Sequence, residues 1–327
     1  MSFTGRKILF IGIGFYDYET VIVNRITARG GEVMSCTDRP ALLRERPWGG
    51  LLSRVSLLKK YLQKKHEKRI ISLAKKNTYD QVFFIKAVDC SSEFIGELRE
   101  ALPDSEFILY EWDSLERFPV VFDRLAWFNR VLSFDRQDAF HYPSINFRPL
   151  FYRQANESAQ VLPKYDLVFI GLLHSSRLPC VRKVQKMIDE QGLSMYVYLT
   201  TNLVTWLKLW FKGQAKNVYI KQLSYEEVVD INNQSRGVLD LPHPDQTGLT
   251  MRSIESLGFD KKLITTGKDI VNYDFFNDEN IKIIDMDLPN IDFSFLSTPY
   301  VPVMENIKSR YSLDKWLDDV FFNGADC

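Results

Sequence analysis

Two stretches of this 327-residue chain combine residue types that hold a diphosphate. The first is Gly171-Leu172-Leu173-His174-Ser175-Ser176-Arg177, directly after an apolar run. A glycine at a strand end, then small hydroxylated residues, then a helix makes a concavity of backbone N–H groups. Arg177 puts a cation at a helix start, which the helix dipole disfavours unless an anion sits there. The second stretch runs from Asp240 to Gly258 and carries His243 between prolines, then Gln246, Thr247, Gly248, Thr250, Arg252 and Glu255. Its spacing predicts a short helix opening at Thr247-Gly248, whose free amides favour phosphate, with Arg252 one turn in. Arg252 and Glu255 are three positions apart and share a helix face, so Glu255 stands where the two hydroxyls of a ribose would lie. A plain Arg–Glu surface pair is the simpler alternative.

Three other loops could do chemistry. Gly12-Ile13-Gly14-Phe15-Tyr16-Asp17 begins like a dinucleotide fingerprint, but Asp17 stands where the third glycine belongs and would repel a pyrophosphate. Asp38 lies near where a ribose-binding acid would fall. The preferred reading is an acceptor-facing loop of Gly14, Phe15 and Tyr16, with Lys86 at another strand end. A tight turn capped by Asp17 is the plainer one. Tyr110-Glu111-Trp112-Asp113-Ser114 and Ser133-Phe134-Asp135-Arg136-Gln137-Asp138 also follow apolar runs. Asp113, Asp135 and Asp138 are candidate general bases, since a base must be a carboxylate within reach of a hydroxyl. Capping a turn, or pairing with Arg136, would explain the same residues.

The elements that position these loops come from alternating patterns. Apolar runs at 7–13, 32–35, 81–86, 106–110 and 130–134 are separated by helical stretches at 18–29, 51–76 and 93–102. The pattern restarts with strands at 165–171, 195–199, 236–241 and 261–266, and helices at 177–191 and 225–234. Ser224 and Glu227 form a capping box at the latter. Alternation of this kind predicts parallel sheets covered by helices on both faces. The fold class is therefore α/β, with two doubly wound Rossmann-like domains facing across a cleft. The polar stretch 153–164 is the linker, so an N-terminal domain spans 1–160 and a C-terminal domain 161–302. Residues 303–327 form a closing helical segment, with Leu313, Trp316, Leu317 and Val320 on one face.

Composition narrows the classes. The chain is 45% apolar and 26% charged, a globular composition. Its 42 basic and 42 acidic residues cancel, which removes the broad basic field that nucleic acid requires. Four scattered cysteines without metal spacing, together with a start that lacks a secretory pattern, predict a reduced, cytoplasmic protein with no structural metal. Between 44 and 76, eleven Lys/Arg stand against two acids. Leu51, Leu52, Val55, Leu58 and Leu62 interleave with them as in an interfacial helix, and Trp206–Lys212 is aromatic and basic too. An ordinary helix with a solvated basic face is the alternative.

The strings YDLVFIGLLHSSR and SYEEVVDINNQSRGVLDLPHPDQTGLTMRSIESLGFDKKLITT resemble the C-terminal half of bacterial glycosyltransferases of the GT-B type. The likeness is to the CgeB-like and the lipopolysaccharide or capsular-polysaccharide biosynthesis group. ILYEWDS and LSFDRQDAFHYPSINFRPLFY resemble that group less specifically. The resemblance implies a nucleotide-sugar donor held by the C-terminal domain and a surface-polysaccharide or lipid-linked glycan acceptor held by the N-terminal one. Transfer would be metal-independent and use no cofactor. It implies Glu255 at the ribose, Gly248, Thr250 and Arg252 near the diphosphate, His174 and Arg177 beside the donor, and a last helix crossing back to the first domain. Thr247 replaces the first glutamate of the E-x-seven-E signature of many retaining members, so neither stereochemistry nor catalytic residues carry over. An acceptor made at the inner membrane face would make the protein peripheral there, with residues 44–76 on an anionic surface. The competing readings are a sugar-nucleotide epimerase on the same fold and a non-catalytic nucleotide-binding assembly protein. A nicotinamide dehydrogenase fits least.

Overall fold

The computed structural model describes residues 1–14, 17–44, 55–155, 162–174, 177–243, 245–285 and 291–322. The chain divides into two compact units. The first is Met1–Pro149 with Asp245–Gly248 and Leu313–Cys327; the second is Leu150–Pro244 with Leu249–Ser312.

In the first unit, described strands β1 (Lys7–Gly12), β2 (Glu32–Thr37), β3 (Gln81–Ile85), β4 (Glu106–Glu111), β5 (Arg130–Ser133) and β6 (Ile145–Phe147) form one parallel sheet ordered β2-β1-β3-β4-β5-β6. Its central strands are apolar and buried along their length, as a sheet covered on both faces requires. The covering helices are α1 (Tyr18–Ala28), α2 (Ala41–Arg44), α3 (Ser56–Ala74), α4 (Ser92–Ala101) and α5 (Arg136–His141). Ile70, Ile71, Phe94, Ile95 and Leu98 of α3 and α4 pack on Leu9, Val82, Phe84 and Phe107.

In the second unit the described sheet is ordered β12-β11-β10-β7-β8-β9, again parallel: β7 (Tyr165–Leu172), β8 (Met195–Thr200), β9 (Val218–Tyr219), β10 (Ser235–Asp240), β11 (Lys262–Thr265) and β12 (Ile281–Ile283). Its helices are α6 (Arg177–Glu190), α7 (Leu203–Phe211), α8 (Tyr225–Asn233), α9 (Met251–Gly258) and α10 (Glu305–Lys308). Ser224 Oγ accepts from the Glu227 amide and the Glu227 carboxylate accepts from the Ser224 amide, the expected capping box, worth about 1 kcal/mol.

Two local expectations need correction. The helix expected to open at Thr247 starts at Met251, because Thr250 is its N-cap: Thr250 Oγ1 accepts from the Ser253 amide at 3.3 Å and donates to Asp240 at 2.8 Å. The stretch 303–322 is not one helix. It breaks at Ser312, whose extended backbone bridges Tyr152 while the Tyr152 amide donates to the Tyr311 carbonyl. The last helix, α11 (Leu313–Phe321), lies in the first unit with Trp316 against Phe83 and Tyr110, held by a buried Arg148–Asp319 pair at 2.9 Å. The described part of the basic helix, α3, buries Glu67, Ile70, Ile71 and Ala74; Leu58 and Leu62 are half-buried and Val55 is exposed, and Leu51 and Leu52 lie outside the described residues.

Candidate functional site

Parallel sheets bind ligands beyond the carboxyl ends of their strands, where the strand order reverses. In the second unit that point lies between β7 and β10, and the loops after these strands are the two that the sequence singles out. Arg252, on the first turn of α9, turns its guanidinium back toward β7. Nε and Nη2 donate to the Ile170 carbonyl at 3.1 and 2.7 Å, and Nη1 donates to buried Asp240 at 2.6 Å. Asp240, the last residue of β10, also accepts from Thr250 and Ser253. Arg177, buried at the start of α6, reaches the Leu172 carbonyl at 2.8 Å and the Leu241 carbonyl. Gly171 lies between the two guanidiniums. A Cβ there would meet Arg252 Nη2 at 2.8 Å and Arg177 Nη1 at 3.6 Å, so the lack of a side chain lets both cations approach the strand end. Both also lie over the Phe169 ring, at 5.0 and 5.7 Å. His174 and His243, one from each loop, stand with ring centroids 5.5 Å apart.

Glu255 does not pair with Arg252. It is buried against Arg153, Oε1 to Nε at 3.1 Å, and the Arg153 guanidinium stacks on the Tyr225 ring. Strand β7, its loop, β10 and α9 thus gather Gly171, His174, Arg177, Thr250, Arg252 and Glu255 into one neighbourhood. Ser175 and Ser176 lie outside the described residues.

Gln246, Thr247 and Gly248 belong to the first unit. Thr247 donates through both its amide and its hydroxyl to Asp135, which accepts from Ser114 Oγ and the Gln137 amide as well. Gly248 packs where a Cβ would strike the Phe134 ring at 2.6 Å. Asp135 is therefore saturated as an acceptor and acts as the anchor of residues 245–248. Asp138 is also buried and engaged, accepting from Ser133 Oγ at 2.5 Å and the Leu115 amide. Burial pushes its carboxyl up to about 6, against the pull of the Ser133 hydrogen bond. Asp113, half-buried, caps no helix; it is held between Lys86 and Arg117, the latter at 2.8 Å. Arg117 also touches Gln246 at 3.4 Å. Lys86 adopts a left-handed backbone (φ 58°), uncommon for a side chain of its size, which sets its ammonium over the Phe118 ring as well.

The residue passed over in the sequence is Glu111. It ends β4 buried, with Oε1 lacking a hydrogen-bond partner, and burial raises its carboxyl to about 8 despite Lys86 nearby. It carries a proton at neutral pH. A carboxylate directly after the apolar run Phe107–Tyr110 is the signal that could have found it.

The β1 loop is closed from within. The Glu19 carboxylate, from α1, accepts from the Ile13 and Gly14 amides at 2.7 and 2.8 Å, the donors that a phosphate would need there. Gly14, at φ 67°, lies beneath the Arg44 guanidinium, and any Cβ would collide with it. Asp17 provides no side-chain cap. Asp38 is buried beside Asp89 and Arg39, its carboxyl raised to about 7 by burial first and Asp89 second. Phe15 and Tyr16 lie outside the described residues. Among the described residues, no three His, Cys, Asp or Glu side chains group so as to hold a metal ion.

The β1 loop and the β7 loop sit on two separate parallel sheets, and comparison with solved structures finds similar folds over nearly the whole chain. The chain is similar to the UDP-GlcNAc 2-epimerase of Methanocaldococcus jannaschii, with a TM-score of 0.51 at 11% identity, covering 94% of this chain and 96% of that one. The fold is of the GT-B type. Similar GT-B structures include AviGT4, a glycosyltransferase involved in avilamycin A biosynthesis, with a TM-score of 0.49, 11% identity and 95% and 88% coverage. Another is a DNA-modifying β-glucosyltransferase, with a TM-score of 0.47, 12% identity and 96% and 98% coverage. No family model matches the sequence, and no curated protein matches it.

Proposed function

We propose that the chain is a glycosyltransferase that moves a sugar from a nucleotide-sugar donor to a surface-polysaccharide or lipid-linked glycan, as in the lipopolysaccharide and capsule group that its motifs resemble. The observation that carries the reading is the convergence of Arg177 and Arg252 on Gly171 at the point of strand reversal. A departing diphosphate needs its developing charge neutralised, and two fixed guanidiniums supply this without a metal ion. Glu255 is assigned to the donor ribose, with His174 and Thr250 beside the phosphates.

In the transfer, an acceptor hydroxyl oxygen forms the new bond to the anomeric carbon. The bond to the diphosphate oxygen breaks, and the hydroxyl proton passes to a base. Of the three aspartates, Asp113 is assigned as that base because its side chain, paired with Lys86 and Arg117, keeps 21% exposure, whereas Asp135 and Asp138 are buried. Asp135 and Asp138 are positioning residues. Gln246, Thr247 and Gly248 are assigned to the shaping of the site through the Asp135 anchor. Lys86 and Gly14, with Phe15 and Tyr16, are assigned to the acceptor side. The basic stretch 44–76 would give an electrostatic contact with a membrane that carries such an acceptor.

The test is nucleotide release from a panel of UDP-, GDP-, CMP- and dTDP-sugars with and without glycan acceptors. Acceptor-dependent release that Asp113→Asn abolishes, with donor affinity unchanged, is expected. Release that does not depend on acceptor would overturn transfer. The similarity to a UDP-GlcNAc 2-epimerase favours a second reading, a sugar-nucleotide epimerase, for which donor isomerisation without acceptor is the expected outcome. A non-catalytic assembly protein would bind nucleotide with no turnover at all.

A further inference from the structure

Helix α7 of the second unit is amphipathic in the inverse sense. Its half-buried Trp206 and Leu209 pack on the core, and Trp206 Nε1 donates to the Val218 carbonyl at 3.0 Å. Outward it presents Leu203, Val204, Leu207, Trp210 and Phe211, with Val204 62%, Trp210 55% and Phe211 78% exposed. At 100° per residue these five side chains span roughly 120° of the helix circumference. That arc would be expected to face a core, yet it faces outward in the monomer. A contiguous exposed apolar patch marks an interaction surface.

The charge around the arc says what kind. Between Gln191 and Tyr225 the chain has four lysines, Lys208, Lys212, Lys216 and Lys221, and no acidic residue. Lys208 and Lys212 border the apolar arc on one side by helical geometry. In the same unit, a cavity of about 220 Å³ brings buried Leu178, Val181, Val197 and Leu199 together with the cations Arg182 and Lys216. Aromatic side chains on an outward face, flanked by lysines with no counter-charge, fit the headgroup layer of an anionic bilayer. Among the described residues no helix is long and apolar enough to cross a membrane, so α7 would lie in the interface plane.

We infer that α7 is a membrane-contact helix which seats Trp210 and Phe211 in the interface of an anionic lipid bilayer, with Lys208 and Lys212 on the lipid headgroups. The inference concerns a different surface from the basic stretch 44–76 and does not depend on which reaction the chain catalyses.

Co-sedimentation of the full chain with vesicles of phosphatidylcholine, alone or mixed with phosphatidylglycerol, tests it. Binding to the mixed vesicles only, weakening with salt, is expected. Trp210→Glu with Phe211→Glu should weaken binding on the order of ten-fold or more while the melting curve and nucleotide affinity stay unchanged, because both side chains are exposed. Lys208→Gln with Lys212→Gln should weaken it roughly five-fold per lysine. Trp210→Phe should still bind but lose the blue shift that the wild type shows on adding mixed vesicles. Wild-type indifference to anionic vesicles, or undiminished binding of the Trp210→Glu, Phe211→Glu protein, overturns the inference. So does a concentration-dependent dimer that the same variant dissolves, which would assign the face to a second copy of the chain. Loss of sugar transfer with vesicle binding intact would count against the proposed function alone.

Discussion

The loops after β1 and β7 occupy the same place in the two units, each at the first βα turn beside the reversal of its sheet, and they have opposite contents. After β1, the backbone donors Ile13 N–H and Gly14 N–H are already satisfied by the Glu19 carboxylate. After β7, two arginines reach back to the glycine at the strand end. An anion site needs donors whose partner can be replaced by ligand and a positive local potential. The first loop fails the first condition, since an internal carboxylate serves as its permanent anion. The second has fixed cations, and the buried Asp240 that orients Arg252 sits behind it. Similar folding patterns therefore do not give the same loop contents; one glutamate on the following helix fills the first loop from within.

The comparison can be broken in order of expected effect. Arg252→Ala should do most, because it abolishes nucleotide-diphosphate affinity and also leaves Asp240 as an unpaired buried charge, costing about 3–5 kcal/mol in denaturant unfolding. Arg252→Lys, which keeps a charge on Asp240, should recover most of the stability but little of the affinity, since a single ammonium cannot reproduce the fork. Next, Glu19→Ala should cost about 2 kcal/mol by stranding two amides, yet leave calorimetric nucleotide affinity unchanged. If nucleotide affinity falls with it, the two loops are not distinct in function. Arg177→Met should weaken diphosphate binding about ten-fold, with a smaller change in melting temperature.

The smallest effect is on pH dependence. Glu111 titrates at about 8 in the fold and near the ordinary carboxyl value when unfolded. The native state then binds more protons than the unfolded one between those values, so stability falls as pH rises from about 4.5 to 8. Asp38, raised to about 7, and Asp138, raised to about 6, act in the same direction. Glu111→Gln should therefore melt a few degrees above wild type at pH 8 and show little difference at pH 4, which parallel thermal scans would resolve.

Much of this was legible in the chain. The apolar runs within β1, β3, β4 and β7 announce buried parallel strands, and Gly12 and Gly171, at or next to the ends of β1 and β7, mark the loops worth attention. What could not be read were partners far apart in sequence. Glu255 looked like a neighbour of Arg252, but its partner Arg153 stands 102 residues away. Asp135 looked like a turn residue or a base, and it proved to be the acceptor for Thr247, 112 residues on. The start of α9 depends on such distant partners as well. Thr247 and Thr250 are equally good caps by type; Thr250 Oγ1 accepts the Ser253 amide, whereas Thr247 turns both its amide and its hydroxyl to Asp135. Burial likewise overrode charge at Glu111, which no local pattern expresses as a protonated acid.

The central claim is that the loop after β7 holds a nucleotide diphosphate through Arg177 and Arg252. Isothermal titration of UDP, GDP, CDP and dTDP into the full chain, wild type beside Arg177→Met, tests it most directly. Saturable one-to-one binding of at least one of these nucleotides to the wild type, with a loss of about ten-fold in the variant, is expected. Absence of binding for all four, or equal affinity in the two proteins, would contradict it.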